Sequence, residues 1–519
     1  MSVFTNRSTN FMRKLLCLFL GINLSAYSQQ AISYQINVTA NPDTFLVSAD
    51  VPFMLGKGTQ TYQFAATAPG TYQTQNIGRF VSDFKAFDKK GKELNVKYSA
   101  PNQFRISKAN KVVKVTYKVA ETFDTKVEEY PIYLMCGSNI EADRVLINNH
   151  TVFGYFEGYQ SAPVKIGIKR PADWKAGTAL EEKDGYFLAD NFDHAVDSPI
   201  LLGKLTFAET KVDETPVRIF TYAGKGKITS ELLLANMKDM LEASRKFLIK
   251  LPVDKYTFLY YFLPEPDGVT GAWEHSYSSE YVMKENDPTP EYLEQVTDIA
   301  SHEFFHIVTP LNIHSEVIES FNFVKPTPSQ HLWLYEGVTE WASNILLYRG
   351  GVTDLDNYIR NGLIQKIVVS ERYFNPDWSL AKIAEESFNG GDGAKEYGNI
   401  YYRGSLLAGY LDILLLDKSN GTRGLREVIL ELVKKYGKGN PVSEKTFFED
   451  LAAMTYPEVK TFIDTYILKA TPFPHAEFLS KIGLQYETVG GQPKISRSAN
   501  PTERQKTLFE AWSKNLPLK

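Results

Sequence analysis

SHEFFHIVTP, Ser301 to Pro310, carries two histidines four positions apart, with a glutamate directly after the first. On a helix, positions i and i+4 lie one turn apart on one face, so the imidazoles of His302 and His306 converge on one point and Glu303 stands beside it. Two imidazoles at that spacing suit a divalent ion, zinc above all, and the adjacent carboxylate is placed to act as a base toward water. A catalytic zinc takes three protein ligands, so one more is needed from elsewhere. The bland alternative is three polar residues sharing a helix.

Working outward, the motif helix reads as TPEYLEQVTDIASHEFFHIV, started at Thr289 and Pro290 and stopped near Thr309-Pro310. Before it, ITSELLLANMKDMLEASRKFLI has helical apolar spacing with Thr229 or Ser230 as its cap, and KYTFLYYFLP reads as a strand. GVTGAWEHSYSSEYVM reads as a turn followed by an extended or looped stretch. After it, helices are expected at GVTEWASNILLYR, LDNYIRNGLIQKIVVSERY, GSLLAGYLDILLLDK, GLREVILELVKKYG and EVKTFIDTYI, with NGGDGAKEYGNI as a mobile glycine-rich loop.

From about Ile32 to Thr210 the pattern is different. ISYQINVTA, TYQFAA, VVKVTYKVA, KVEEYPIYLM, TVFGYF and VKIGIKR are rich in Val, Tyr, Ile and Thr and are separated by Gly, Pro, Asn or Asp. They predict an antiparallel sandwich or related all-β domain that serves chiefly as scaffold, with Asp197 a candidate contributor to a cleft. At 519 residues the chain is long enough for two or three domains. The expected division is a signal peptide at 1–28, a β-sandwich-like domain at 29–215, an α+β, mostly helical catalytic domain at 216–475, and a tail at 476–519.

The signal reading rests on Met12, Arg13 and Lys14 ahead of LLCLFLGINLSA, followed by the small-x-small pattern Ala26-Tyr27-Ser28. The apolar run is short of the roughly 20 residues of a membrane span, which favours export with removal over an anchor. Cys17 lies near the start of the run, which argues against a lipoprotein. Removal takes away Arg7, Arg13 and Lys14 and no acid, moving the formal charge from −4 to −7 and disfavouring a nucleic-acid partner. It also leaves Cys136 as the sole cysteine, so a metal site would be built from histidine and carboxylate. No stable membrane insertion is expected afterwards, and the destination is the periplasm or the exterior. The oligomeric state is not legible.

The best third ligand is Glu336 in HLWLYEGVTEW, near a helix start and one turn before Glu340. On that spacing Glu336 ligates the ion while Glu340 accepts the second ring proton of a ligating histidine; the alternative for Glu340 is a carboxylate facing solvent or a surface lysine. His314 and His331 are expected to support loops. His275 either lines the cleft or is a hydrogen-bonded structural histidine.

SHEFFH followed by HLWLYEGVTEW, with GAWEH upstream and YYRG downstream, resembles the M61 glycyl aminopeptidase family of gluzincin metallopeptidases, and HAVDSPILLG extends the resemblance into the N-terminal region. The longer spacing between His306 and Glu336 is more similar to that family than to the related M1 aminopeptidases. The resemblance implies a thermolysin-like catalytic domain holding one zinc ion through His302, His306 and Glu336, with Glu303 as base. It also implies Glu274 near the free amino group of a peptide substrate, and Tyr401, or adjacent Tyr402, as donor to the oxyanion. The resulting expectation is an aminopeptidase releasing N-terminal Gly or Ala. Trp273, where the family has the shorter GLEH form, is expected to alter the first-residue pocket. Only 48 residues follow Thr471, so a complete C-terminal PDZ domain is not expected. The competing expectations are a zinc endopeptidase or oligopeptidase and, from another class, a non-catalytic periplasmic binding or scaffold protein.

Overall fold

The computed structural model describes residues 30–126 and 131–517; the expected signal segment lies outside them. An all-β N-terminal domain precedes a largely helical one. The N-terminal domain is built on an eight-stranded sheet with Ile32–Asn37, Thr44–Asp50 and Val112–Ala120 at its centre, accompanied by two four-stranded sheets. The large sheet is mixed, because Ile32–Asn37 runs parallel to Val164–Lys169. Two of the expected strands differ. The described part of KVEEYPIYLM is a short 3-10 turn at Leu134–Cys136, and TVFGYF begins as one helical turn, Asn149–Val152, before the strand pair at Tyr155–Phe156.

The helical domain packs on a five-stranded sheet ordered Thr206–Val212, Thr215–Ala223, Tyr256–Leu263, Ser278–Lys284 and Gly271–His275. Tyr256–Leu263 is buried along its whole length. Alternate side chains of a strand point to opposite faces. Tyr256, Phe258, Tyr260 and Phe262 accordingly enter the helical core, whereas Leu259, Tyr261 and Leu263 pack with Leu134, Leu146 and Leu201 of the N-terminal domain. Each such buried side chain contributes about 1.5–3 kcal/mol, so this one strand joins both domains. The Tyr261 hydroxyl also donates to Asn139 Oδ1 at 2.5 Å and accepts from Arg144 Nε at 2.6 Å.

GVTGAWEHSYSSEYVM is a hairpin in which Gly271–His275 pairs with Ser278–Lys284 and forms the sheet's edge. Helices at Ser230–Leu248, capped by Thr229, and at Pro290–Phe305, capped by Thr289, cover the sheet. NGGDGAKEYGNI is not an open loop: Gly391–Glu396 is helical and leads into the long helix Asn399–Lys418. The carboxyl-terminal residues form His475–Lys481, a hairpin and Glu503–Trp512, with Leu508 and Trp512 inserted in the helical core.

Trp333–Val338 winds as a π-helix before Thr339–Arg349 continues as an α-helix. Such widened turns recur at functional sites because they re-aim a side chain. Gly337, inside it, lies against Gly404 of the long helix, where a Cβ on Gly337 would stand 2.7 Å from the Gly404 Cα. The backbones therefore touch, and this close approach brings Glu336 and Tyr401 to one place. Gly404→Ala is expected to cost about 1–3 kcal/mol through overpacking and to lower the thermal unfolding midpoint. An unchanged midpoint in calorimetry would show that the helices separate freely.

Candidate metal centre

The motif helix presents His302 and Glu303 in its last turn and ends as His306 begins the following turn. His302 Nδ1 is 2.7 Å from Glu340 Oε2, and His306 Nδ1 is 2.7 Å from the Thr309 carbonyl. With each Nδ1–H donated to an oxygen, Nε2 is the ring atom left to ligate an ion. Both Nε2 atoms face the same carboxylate oxygen, Glu336 Oε2, at 3.5 and 3.6 Å. Ligand bonds near 2.1 Å at tetrahedral angles leave donors roughly 3.4 Å apart. The three donor atoms are thus spaced and oriented for one divalent ion, and the set contains no thiolate.

Burial works against Glu336 ionising, but the imidazoles of His306 and His302 outweigh it and hold the carboxyl below its ordinary range. Glu340 is likewise held well below that range: burial opposes ionisation, and Lys366 with His302 overcomes it. The Lys366 ammonium contacts Glu340 Oε1 directly. Glu340 therefore meets both a ligand histidine and a lysine, although this lysine is itself buried. Asn344 adds a donor to the same oxygen at 3.2 Å.

Glu303 is 8% exposed, and its Oε2 has no hydrogen-bond partner. Burial, with Glu336 and Glu340 adding to it against His302, pushes Glu303 up to about 8. Glu274 is raised well above its ordinary range by burial, then by Glu336 and Glu303. On the edge strand it faces the motif helix, within 4.8 Å of Glu303 and His306 by its nearest oxygen. Tyr401 stands beside His302, ring centres 5.6 Å apart, and close to Glu336; burial and that carboxylate keep its phenol protonated. Tyr402 points elsewhere, toward Phe374 and Lys366.

His302, Glu303, His306, Glu336, Glu274 and Tyr401 line a chamber of about 90 Å³, together with residues that sequence reasoning did not single out: Gly70 and Tyr72 from an N-terminal-domain loop, and Tyr397 one turn before Tyr401. Tyr397 and Tyr401 hydroxyls are 3.4 Å apart. An i,i+4 tyrosine pair was the available signal for Tyr397; nothing in the local pattern marks Tyr72. Trp273 borders the chamber, yet its indole is 3% exposed, packs into the N-terminal core and donates to the Pro69 carbonyl at 3.1 Å. Its bulk acts through the loop it anchors.

His275 shares the Trp273 face of the strand, buried, with its Nδ1 3.7 Å from Asp197 Oδ1. Asp197 also accepts from the Ser276 N–H at 2.9 Å, and both residues border a wider cleft of about 1150 Å³ next to the chamber. His314 is tied to the Pro310 carbonyl and Glu319. His331 packs on Phe447 and Phe448.

The sequence matches two family models: the Peptidase M61 N-terminal domain over residues 33–204 and M61 glycyl aminopeptidase over residues 295–407. The second span contains His302, Glu303, His306, Glu336 and Tyr401. Among solved structures, the fold is similar to that of an aminopeptidase N family protein from Idiomarina loihiensis, with TM-score 0.75 and 20% identity over 88% of this chain and 79% of that one. No curated protein matches. With the two models covering both the β-domain and the metal-motif region, the chain belongs to the M61 glycyl aminopeptidase family and is a metallopeptidase.

Proposed function

We propose that the protein is a zinc aminopeptidase that removes N-terminal residues, glycine or alanine by preference, from peptides with free N-termini. The observation that carries this reading is the position of Glu274, a carboxylate outside the set of His302, His306 and Glu336 though near Glu303 and His306, in a chamber that Gly70 and Tyr72 border. A carboxylate there pairs with a substrate ammonium and fixes which peptide bond is presented.

His302, His306 and Glu336 would hold the ion, and a donor set of two imidazoles and a carboxylate suits zinc. When bound, zinc supplies Lewis-acid polarisation of water and of the scissile carbonyl. Glu303 takes the proton of the attacking water on its unpartnered Oε2 and passes it to the leaving amine. The Tyr401 hydroxyl donates a hydrogen bond to the carbonyl oxygen as negative charge builds there. Glu340 fixes the His302 tautomer, and Lys366 holds Glu340 ionised. Export after removal of residues 1–28 belongs to the same proposal and is supported by the sequence. Among the described residues no helix is long and apolar enough to cross a membrane. One observation favours internal cleavage instead, namely the adjoining cleft of about 1150 Å³, wide enough for a longer chain.

Gly-, Ala-, Leu- and Arg-initiated peptides, each free and N-acetylated, separate the two readings. The expected result is release from free N-termini only, lost with a chelator and restored by zinc, and reduced about 10²–10⁴-fold in Glu303→Gln. Equal cleavage of the acetylated set would move the assignment to an endopeptidase.

Glu340→Ala is expected to weaken metal binding about 10–100-fold, read by competition with a chromogenic chelator. Unchanged affinity would reduce Glu340 to a partner of Lys366.

In the metal-free protein, Glu303 is raised from 4.5 to about 8. Between those values the folded chain keeps a proton that the unfolded chain releases, so stability falls as pH rises. From about pH 5 to about pH 9, the metal-free protein is expected to lose more stability than its Glu303→Gln variant. Urea unfolding after chelation measures it, and parallel pH profiles would place the proton on another group.

A further inference from the structure

The chamber and the wide cleft meet at one residue pair of the N-terminal domain: Gly70 and Tyr72 border both, as do Trp273 and Glu274. Tyr72 has a left-handed backbone, φ 44°, which is rare for a bulky residue and persists only where the surroundings enforce it. Its ring packs on Tyr397, centres 4.9 Å apart, and on Phe388 at 5.7 Å, so the helical domain holds it from behind.

The loop has no slack. The Trp273 indole N–H is bonded to the Pro69 carbonyl at 3.1 Å, and the Thr71 hydroxyl donates to the Ala68 carbonyl at 2.8 Å. At Gly70, φ +79°, an added Cβ would lie 2.5 Å from Trp273 Nε1 and 2.6 Å from Glu274 Oε1. Tyr72, with Gly70, Trp273 and Glu274, therefore borders both a space of about 90 Å³ at the carboxylates and one of about 1150 Å³ beyond, and its ring is held in place there.

We propose that Tyr72 is a specificity-determining residue for the peptidase, supplied by the N-terminal domain: its ring bounds the space for the side chain of the substrate's first residue, admitting glycine or alanine and excluding leucine and arginine. The inference rests on the aminopeptidase reading above. A larger side chain must displace a ring that Tyr397 and Phe388 back and that the pinned loop cannot carry away, and packed interiors resist such insertion. Removing the ring joins the chamber to the cleft, where long side chains have room.

The test uses Tyr72→Gly and Tyr72→Phe in the zinc-loaded protein, with kcat/KM for Gly-, Ala-, Leu- and Arg-initiated peptides. Glycine is suited to the left-handed backbone, and Tyr72→Asn, which tolerates it, is measured in the same way should the glycine variant fail to fold. Tyr72→Gly is expected to raise the Leu-to-Gly ratio of kcat/KM by about tenfold or more, with a parallel rise for Arg. Tyr72→Phe is expected to keep the original ratio, because the wall is the ring. An unchanged ratio in a folded glycine or asparagine variant overturns the proposal. So does a relaxed ratio in the phenylalanine variant, which would assign the selectivity to the hydroxyl. Cleavage of N-acetylated peptides by the unchanged protein would defeat the aminopeptidase reading itself, a result independent of residue 72.

Discussion

Glu274, Glu303 and Glu336 line one chamber with two imidazoles, Glu340 stands behind His302, and the rest of the site follows from that charge problem. Two like charges 4 Å apart repel by about 4 kcal/mol at an effective dielectric near 20, so the four carboxylates cannot all ionise unaided. The surroundings divide them into pairs. Glu336 and Glu340 are held ionised by His302, His306 and Lys366, whereas burial pushes Glu303 and Glu274 toward the protonated form, helped at Glu303 by Glu336 and Glu340 and at Glu274 by Glu336 and Glu303. Such a pocket calls for added positive charge. On the proposed function, a divalent ion at the histidines and an ammonium at Glu274 would answer that demand at two distinct points, and each would make the other's carboxylate easier to ionise.

Holding the four groups in place needs backbone contacts that ordinary helices do not allow. Glu336 stands on a π-helical segment, and Gly337 lets that segment touch the long helix at Gly404, one turn beyond Tyr401. The edge strand brings Glu274 in from the other side, because its partner strand pairs Glu274 with Ser279 and so fixes which face the carboxylate takes. Local geometry, sheet register and a glycine contact thus each fix one coordinate of the site.

The parts legible in the sequence were those in which chemistry and period coincide in one short segment. His302 and Glu303 lie in the last turn of one helix that His306 caps, and Glu336 and Glu340 stand one turn apart, so spacing alone set their relation. The family resemblance placed Glu274 and Tyr401, which no spacing rule would have joined to the motif. The gaps were long-range. Tyr72 reaches the chamber only through the docking of two domains, and the π-helical turn at Glu336 has no apolar period of its own. NGGDGAKEYGNI looked like a loop because glycine lowers helix propensity; here the segment folds as a helix, with Gly393 close against the Glu386 carbonyl.

Reading the N-terminal strands as mainly scaffold understated what that domain does. Trp273 and Glu274 are neighbours on one strand: the indole is embedded in the N-terminal core and the carboxylate faces the metal motif. Tyr256–Leu263 divides its side chains between the two cores in the same way. A displacement of the N-terminal core therefore carries Trp273 with it, and Glu274 follows through the strand backbone. Displacements near 1 Å suffice to cost a reaction about a hundredfold, far less than is needed to expose either core. The docking of the domains is for that reason part of the site's geometry, and a weakened interface would disable the chamber while both domains remained folded.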